Sequence, residues 1–152
     1  RTNEILDNDT QSDLFVTVFY AVWNPAAQLL TYANGGHNPP ILLGQNGRSQ
    51  LLTGEGMALG VLPKIHVAKN EVKLSQGDTL IFYTDGVTEA MNEDYDEFGV
   101  ERLHLTARSH KTKDASAIVT AITDAIDDHA GKTPQFDDIT LIVLKNETRR
   151  DV

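Results

Sequence analysis

The stretch Ile81–Ala90, IFYTDGVTEA, begins as apolar strand material and then sets a carboxylate, Asp85, directly before a glycine. A charge at the end of a buried run needs water or a partner, because desolvating it alone is costly. A second stretch, Gln135–Leu144, QFDDITLIVL, has the reverse order: Asp137 and Asp138 stand immediately before an apolar strand. If these two strands are antiparallel neighbours, the end of the first lies beside the start of the second, and the carboxylates converge at one sheet edge. Converging carboxylates repel one another, and a hard divalent cation removes that penalty because its charge dominates the site. Oxygen-only donors suit magnesium or manganese, which keep several waters and take few protein carboxylates. Each cluster also has a structural reading of its own. Asp-Gly is a frequent turn pair, and an aspartate before a strand often bonds its own backbone.

Working outward, Leu14–Trp23, LFVTVFYAVW, is apolar on both faces and reads as a central, doubly covered strand. NPAAQ then gives a turn, LLTYAN a strand, GGHNPP a rigid connection, and ILLG and QLL two more strands about the turn QNGR, in a β-meander rhythm. His66–Leu74 alternates in part, and SQGD turns into the strand Thr79–Thr84. Helical spacing is confined to the second half. EFGVERLHLTARS is a short amphipathic helix, and Ile118, Ile122 and Ile126 recur every four residues in a helix with Asp114 as N-cap and Gly131 as terminator. Pro134 blocks continuation before a last strand, Ile139–Leu144. The opening RTNEILDNDTQSD reads as the end of a helix and a loop (1–13), and KNETRRDV ends in a solvated tail (148–152).

A chain of 152 residues, 40% hydrophobic and 23% charged, is one globular domain with a real core. Its formal charge of −9 argues against nucleic acid and anionic membranes as partners and makes a cation the expected charged guest. With no cysteine, thiol nucleophiles, disulfides and zinc-thiolate sites are excluded, and a cytoplasmic location is expected. The ten residues of Leu14–Trp23 are about half of the roughly 20 that a membrane helix needs, so no membrane insertion is expected, and no signal peptide is expected either.

Six blocks, FVTVFYAVW, LLTYANGGHNPPILL, GMALGV, VKLSQGDTLIFYTDGVTEAMN, FGVERL and QFDDITLIVL, occur in an order and spacing that resemble the sporulation stage II protein E-like branch of the metal-dependent serine/threonine phosphatases. The resemblance spans about Leu14–Lys145, so that residues 14–147 correspond to the C-terminal portion of the domain. It implies an α+β fold, a phosphatase 2C-like antiparallel β-sandwich flanked by helices and incomplete at its N-terminus. It implies attack on phosphoserine or phosphothreonine by water activated by Mn2+ or Mg2+, on a regulatory protein such as an anti-sigma-factor antagonist. Asp85 and Asp137 are then metal ligands, with Asp138 and Gly86 as their neighbours. A metal that lowers the pKa of water and clamps phosphoryl oxygens makes a serine or cysteine nucleophile unnecessary.

The family also carries, upstream of the position of Phe15, an aspartate-bearing strand and an Asp-x-x-Gly-His-Gly block. Neither occurs here, and Asp7, Asp9 and Asp13 sit in a polar stretch without that context. The chain alone is therefore expected to hold at most half of the metal site and to be inactive, and an unpaired strand edge is expected to favour a homodimer. The rival reading is a non-catalytic protein-interaction module on the same scaffold. A third, a calcium-binding domain through Asp94 and Asp96, suffers from Glu97 and Leu103 where a calcium loop has glycine and glutamate. His37 in GGHNPP looks like a possible site loop, although its glycines and prolines equally set a tight connection that the histidine caps. His66, His104, His110 and His129 have no metal-ligand spacing and read as solvated. TGEGMALG faintly resembles a phosphate-binding loop but is followed by a proline and strand-like alternation instead of a helix, which excludes a nucleotide role.

Overall fold

The computed structural model describes residues 2–9 and 15–147. The expected strand start at Leu14, the aspartate Asp13 and the tail 148–152 lie outside the described residues. In chain order the elements are α1 (Thr2–Asp9), β1 (Val18–Asn24), β2 (Leu29–Gly35), β3 (Ile41–Leu43), β4 (Ser49–Leu51), β5 (Asn70–Lys73), β6 (Thr79–Tyr83), α2 (Asp85–Thr88), α3 (Gly99–His110), α4 (Ala115–Ala130) and β7 (Leu141–Lys145). They fall into two compact units, one within residues 2–39 and 52–74, the other within 40–51 and 75–147. Among the described residues, no helix is long and apolar enough to cross a membrane.

The first unit is built on an antiparallel sheet of order β1-β2-β5. The NPAAQ turn closes the first hairpin, with Asn24 Oδ1 accepting from the Ala27 amide at 3.1 Å and Gln28 at φ 52°. Asn3 ties α1 to the loop before β5, donating to the Leu62 carbonyl and accepting from the Gly60 amide, both at 2.9 Å. A Cβ at Gly56 would lie 2.2 Å from the Asn34 carbonyl oxygen, so the TGEGMALG segment is glycine-rich because it runs against the end of β2.

Two expectations are corrected in this unit. β1 is not a central, doubly covered strand: it pairs with β2 alone among the described residues, and Tyr20 and Val22 are 65% and 50% exposed. Apolar residues on both faces tell of the character of those faces, and the pairing of the strand's two edges is a separate matter. The meander is also broken, because β2 and β3 belong to different sheets, and only Asn70–Lys73 of the expected His66–Leu74 strand pairs.

The second unit carries a sheet of order β4-β3-β6-β7, antiparallel throughout. Residues alternate across its faces, and Ile41, Leu43, Ile81 and Tyr83 form one core cluster with Leu103 and Ala107 of α3 and with Ile118, Ile122 and Ile126 of α4. The four-residue spacing of the isoleucines is therefore the buried stripe of α4. Asp114 caps that helix by accepting from the Ala117 amide at 2.8 Å, and Gly131, at φ 59°, ends it. The last strand begins two residues later than expected, at Leu141, because Thr140 is engaged by the end of β6.

Truncating Ile122 to alanine should cost about 2–5 kcal/mol, since it opens a cavity under the sheet, and Asp114→Ala about 1 kcal/mol, since it removes one cap. Urea unfolding followed by circular dichroism measures both, and a smaller loss for Ile122→Ala than for Asp114→Ala would contradict this account of the core.

Candidate metal centre

The site rests on how β6 and β7 end. Their antiparallel ladder runs from Thr79 opposite Lys145 to Tyr83 opposite Leu141. One step further one backbone bond is kept and its counterpart passes through a side chain. The Thr84 amide donates to the Thr140 carbonyl at 3.1 Å, and the Thr140 amide donates to the Thr84 hydroxyl at 2.9 Å. That hydroxyl in turn donates to the Asp138 carbonyl at 3.0 Å.

Continuing the register brings Gly86 opposite Asp138. A Cβ there would stand 2.5 Å from the Asp138 carbonyl oxygen and 3.2 Å from that of Asp137. Those obstacles are backbone, so only glycine lets the two segments approach this closely. Gly86 is buried inside α2, a single helical turn where the sequence pattern gave a turn pair. The Thr84 side chain precedes this helix without capping it, its hydroxyl being spent on Asp138 and Thr140.

Asp85, Asp137 and Asp138 are all exposed at these two adjoining strand ends. Asp85 Oδ1 accepts from the Gly86 amide at 3.1 Å, and Asp137 Oδ1 accepts from the Asp138 amide at 2.7 Å. Gln135 Nε2 donates to the Asp137 carbonyl at 2.7 Å, holding the preceding loop. Among the described residues no lysine or arginine pairs with these three carboxylates; the ion pairs Lys69–Glu71 and Lys145–Glu147 lie elsewhere. Hard, uncompensated oxygen donors at one sheet end fit magnesium or manganese in kind. They do not fit in number, because among the described residues no three histidine, aspartate or glutamate side chains are grouped to hold an ion.

His37 belongs to the first unit. Its amide donates to Asn34 Oδ1 at 2.8 Å, the Asn34 amide group donates back to the His37 carbonyl at 2.9 Å, and its Nδ1 lies 3.0 Å from the Thr17 hydroxyl. Three of the other histidines are not simply solvated. His104 Nε2 lies 2.6 Å from the Ser49 hydroxyl, His110 Nδ1 lies 2.9 Å from the Thr106 carbonyl, and His129 Nε2 lies 2.9 Å from the Asp96 carbonyl. These partners close turns and join elements. Asp94 and Asp96 lie in a turn organised by Asn92, whose Oδ1 accepts from both their amides at 3.0 and 2.8 Å. The turn is thus set by the Asn92 side chain and by the backbone of Asp94 and Asp96.

Thr84 is a residue that sequence reasoning passed over. Its signal was the register itself, since a threonine directly after one strand faces a threonine directly before the other.

The architecture is that of a phosphatase 2C-like domain. It superposes on the SiaA PP2C domain of Pseudomonas aeruginosa with a TM-score of 0.84 at 20% identity, covering 95% of this chain and 57% of that one. The PP2C phosphatase domain of SpoIIE from Bacillus subtilis gives 0.76 at 18% identity, over 93% of this chain and 41% of that one. The stage II sporulation protein E (SpoIIE) family model matches residues 1–147, and the chain belongs to that family, the SpoIIE/RsbU-type branch of the metal-dependent phosphatases. It is similar to protein IcfG of Synechocystis sp., 36% identical over 134 residues, which are 86% of this chain and 20% of that protein. It is also similar to the phosphoserine phosphatase RsbU of Bacillus subtilis, 29% identical over 151 residues, covering 95% of this chain and 43% of RsbU. The chain thus spans less than half the length of these relatives.

Substitutions at two positions test the junction. Thr84→Val removes a donor and an acceptor at once and should cost about 1–3 kcal/mol, while Thr84→Ser should restore most of it. Gly86→Ala should cost a similar amount, about 1–3 kcal/mol, by forcing backbone apart. Unfolding free energies of the three variants read this, and an unchanged Gly86→Ala protein would refute the close approach.

Proposed function

We propose that this chain supplies one half of the divalent-metal centre of a protein serine/threonine phosphatase, with Asp85 and Asp137 as ligands and Asp138 and Gly86 as their neighbours. The observation that carries the reading is the junction of β6 and β7, where a register clamp brings the two acidic segments to one sheet end. Each proposed ligand uses Oδ1 on its own loop and has Oδ2 without a hydrogen bond among the described residues. Mn2+ or Mg2+ held by Asp85 and Asp137 together with further ligands would supply the positive charge that a phosphoryl oxygen and a reacting water need. The residues of this chain orient the site: Thr84 and Gly86 hold the Asp137–Asp138 segment in place, and Gln135 fixes the loop before it.

The substrate by this reading is a phosphoserine or phosphothreonine of a cytoplasmic regulatory protein, of the anti-sigma-factor antagonist type. Two similar proteins, RsbU and RsbP of Bacillus subtilis, bear the name phosphoserine phosphatase. The shortage of ligands makes the chain by itself catalytically incomplete. The same shortage favours the rival reading, a protein-interaction module that uses this scaffold without chemistry. The edge of β1 left unpaired among the described residues, together with the exposed Tyr20 and Val22, supports self-association into a homodimer.

Sedimentation equilibrium should reveal a dimer that Tyr20→Lys weakens, and a strict monomer at high concentration would remove that part of the proposal. Calorimetric titration with Mn2+ should show weak binding that both Asp85→Asn and Asp137→Asn diminish. If the folded protein takes up no Mn2+, or if the substitutions leave binding intact, the interaction module becomes the better account. A Mn2+-dependent turnover by this chain alone that Asp85→Asn abolishes would instead disprove its incompleteness.

A further inference from the structure

Beside the candidate metal centre, and within the same unit, lies a cleft of about 260 Å³. Its base is the margin of the core cluster, formed by Ile126 with the partly buried Ala90 and Ile139. Its rim carries three carboxylates, Glu89, Asp127 and Asp137, and among the described residues no lysine, arginine or histidine lines it. Glu89 and Asp127 are exposed, and neither carboxylate has a hydrogen-bond or ion-pair partner among the described residues. Phe136, also part of the wall, is 73% exposed.

The size is small. Pockets that hold a drug-sized ligand run to roughly 300–1,000 Å³, so this one suits a single side chain. An apolar base under an acidic rim selects an occupant with an aliphatic stem and a cationic head, the form in which lysine and arginine bury their chains. An exposed aromatic ring on the wall adds a face for a guanidinium, and so favours arginine. The cleft is continuous with the proposed metal centre through Gly86 and Asp137, which line it.

We propose that this cleft is a specificity subsite that receives an arginine, or less tightly a lysine, flanking the phosphorylated residue of the protein substrate. The proposal rests on the phosphatase reading for the word substrate, and on the cleft alone for the preference for a basic side chain. The positive side chain meets Glu89 and Asp127, its stem lies on Ile126 and Ala90, and its phosphorylated neighbour is delivered towards Asp137. The dianionic phosphate is kept out of the cleft itself by the same carboxylates.

The test uses short phosphoserine-centred peptides with arginine, or its uncharged analogue norleucine, at each flanking position, together with their unphosphorylated counterparts. Binding to the protein is read by fluorescence anisotropy, and Mn2+ uptake by calorimetry. At one flanking position arginine should bind on the order of tenfold tighter than norleucine, with or without the phosphate. The double variant Glu89→Gln, Asp127→Asn should bring that ratio close to one, and Phe136→Ala should lower it while lysine peptides change less. Equal affinity for arginine and norleucine at every position, or a ratio that the double variant leaves intact, overturns the subsite. The two readings fail separately. Mn2+ binding that Asp85→Asn and Asp137→Asn diminish, without basic selectivity, would sink the cleft and keep the metal-centre reading, whereas selective peptide binding lost in the double variant, with no Mn2+ uptake, would sink the metal-centre reading and keep the cleft.

Discussion

The backbone contact between Gly86 and the Asp138 carbonyl is the constraint on which the rest of the second unit depends. Neighbouring strands sit about 4.7–4.9 Å apart, and side chains at their ends normally keep the following loops further away. Here the missing side chain lets α2 and the segment before β7 close to within contact of one another. The Thr84 hydroxyl then completes what a ladder bond would otherwise do, accepting from Thr140 and donating to Asp138. A conventional ladder continued by two more residues would have spent the amides and carbonyls of both acidic segments on each other. Leaving the ladder at Tyr83 frees those segments to form loops whose carboxylates stay in water.

Most of the second unit was legible in the sequence because its signals are local. The period of Ile118, Ile122 and Ile126, the cap at Asp114 and the stop at Gly131 each lie within one element and were met as expected. The adjacency of the two acidic segments was legible too, since a strand ending at an acid and a strand starting from one have only to pair antiparallel. What escaped depends on distant partners or on elements shorter than their own period. α2 has four residues, about one turn, and its Asp-Gly start is indistinguishable from a turn. His104 and His129 find Ser49 and Asp96, which lie 55 and 33 residues away. The assignment of β2 and β3 to separate sheets and the bare edge of β1 are likewise facts of pairing, which the alternation of one strand does not encode.

Charge sets which groups these strand ends attract and which they repel. A net −9 repels a phosphorylated partner over the range of a Debye length, and three carboxylates at one sheet end sharpen that repulsion locally. No lysine or arginine among the described residues offsets them by direct pairing. In the second unit, then, the uncompensated carboxylates suit cations and basic groups, and a phosphate would meet them favourably only with positive charge supplied from outside the side chains described.

The length of α4 connects these two roles. Its buried isoleucines set its rotation against the sheet, Gly131 stops it at φ 59°, and Pro134 prevents the loop from resuming a helix. Few residues then remain to reach β7, so the same short segment, 133–139, forms one wall of the cleft and carries Asp137. Changes within that segment, at Pro134 or Phe136, must act on the cleft and on the carboxylates together. Glu89, at the end of α2, and Asp127, on α4, lie outside it and bear on the cleft without moving the segment. That separation follows from the fold: substitutions at Glu89 or Asp127 alter the rim of the cleft and leave the junction of β6 and β7 in place.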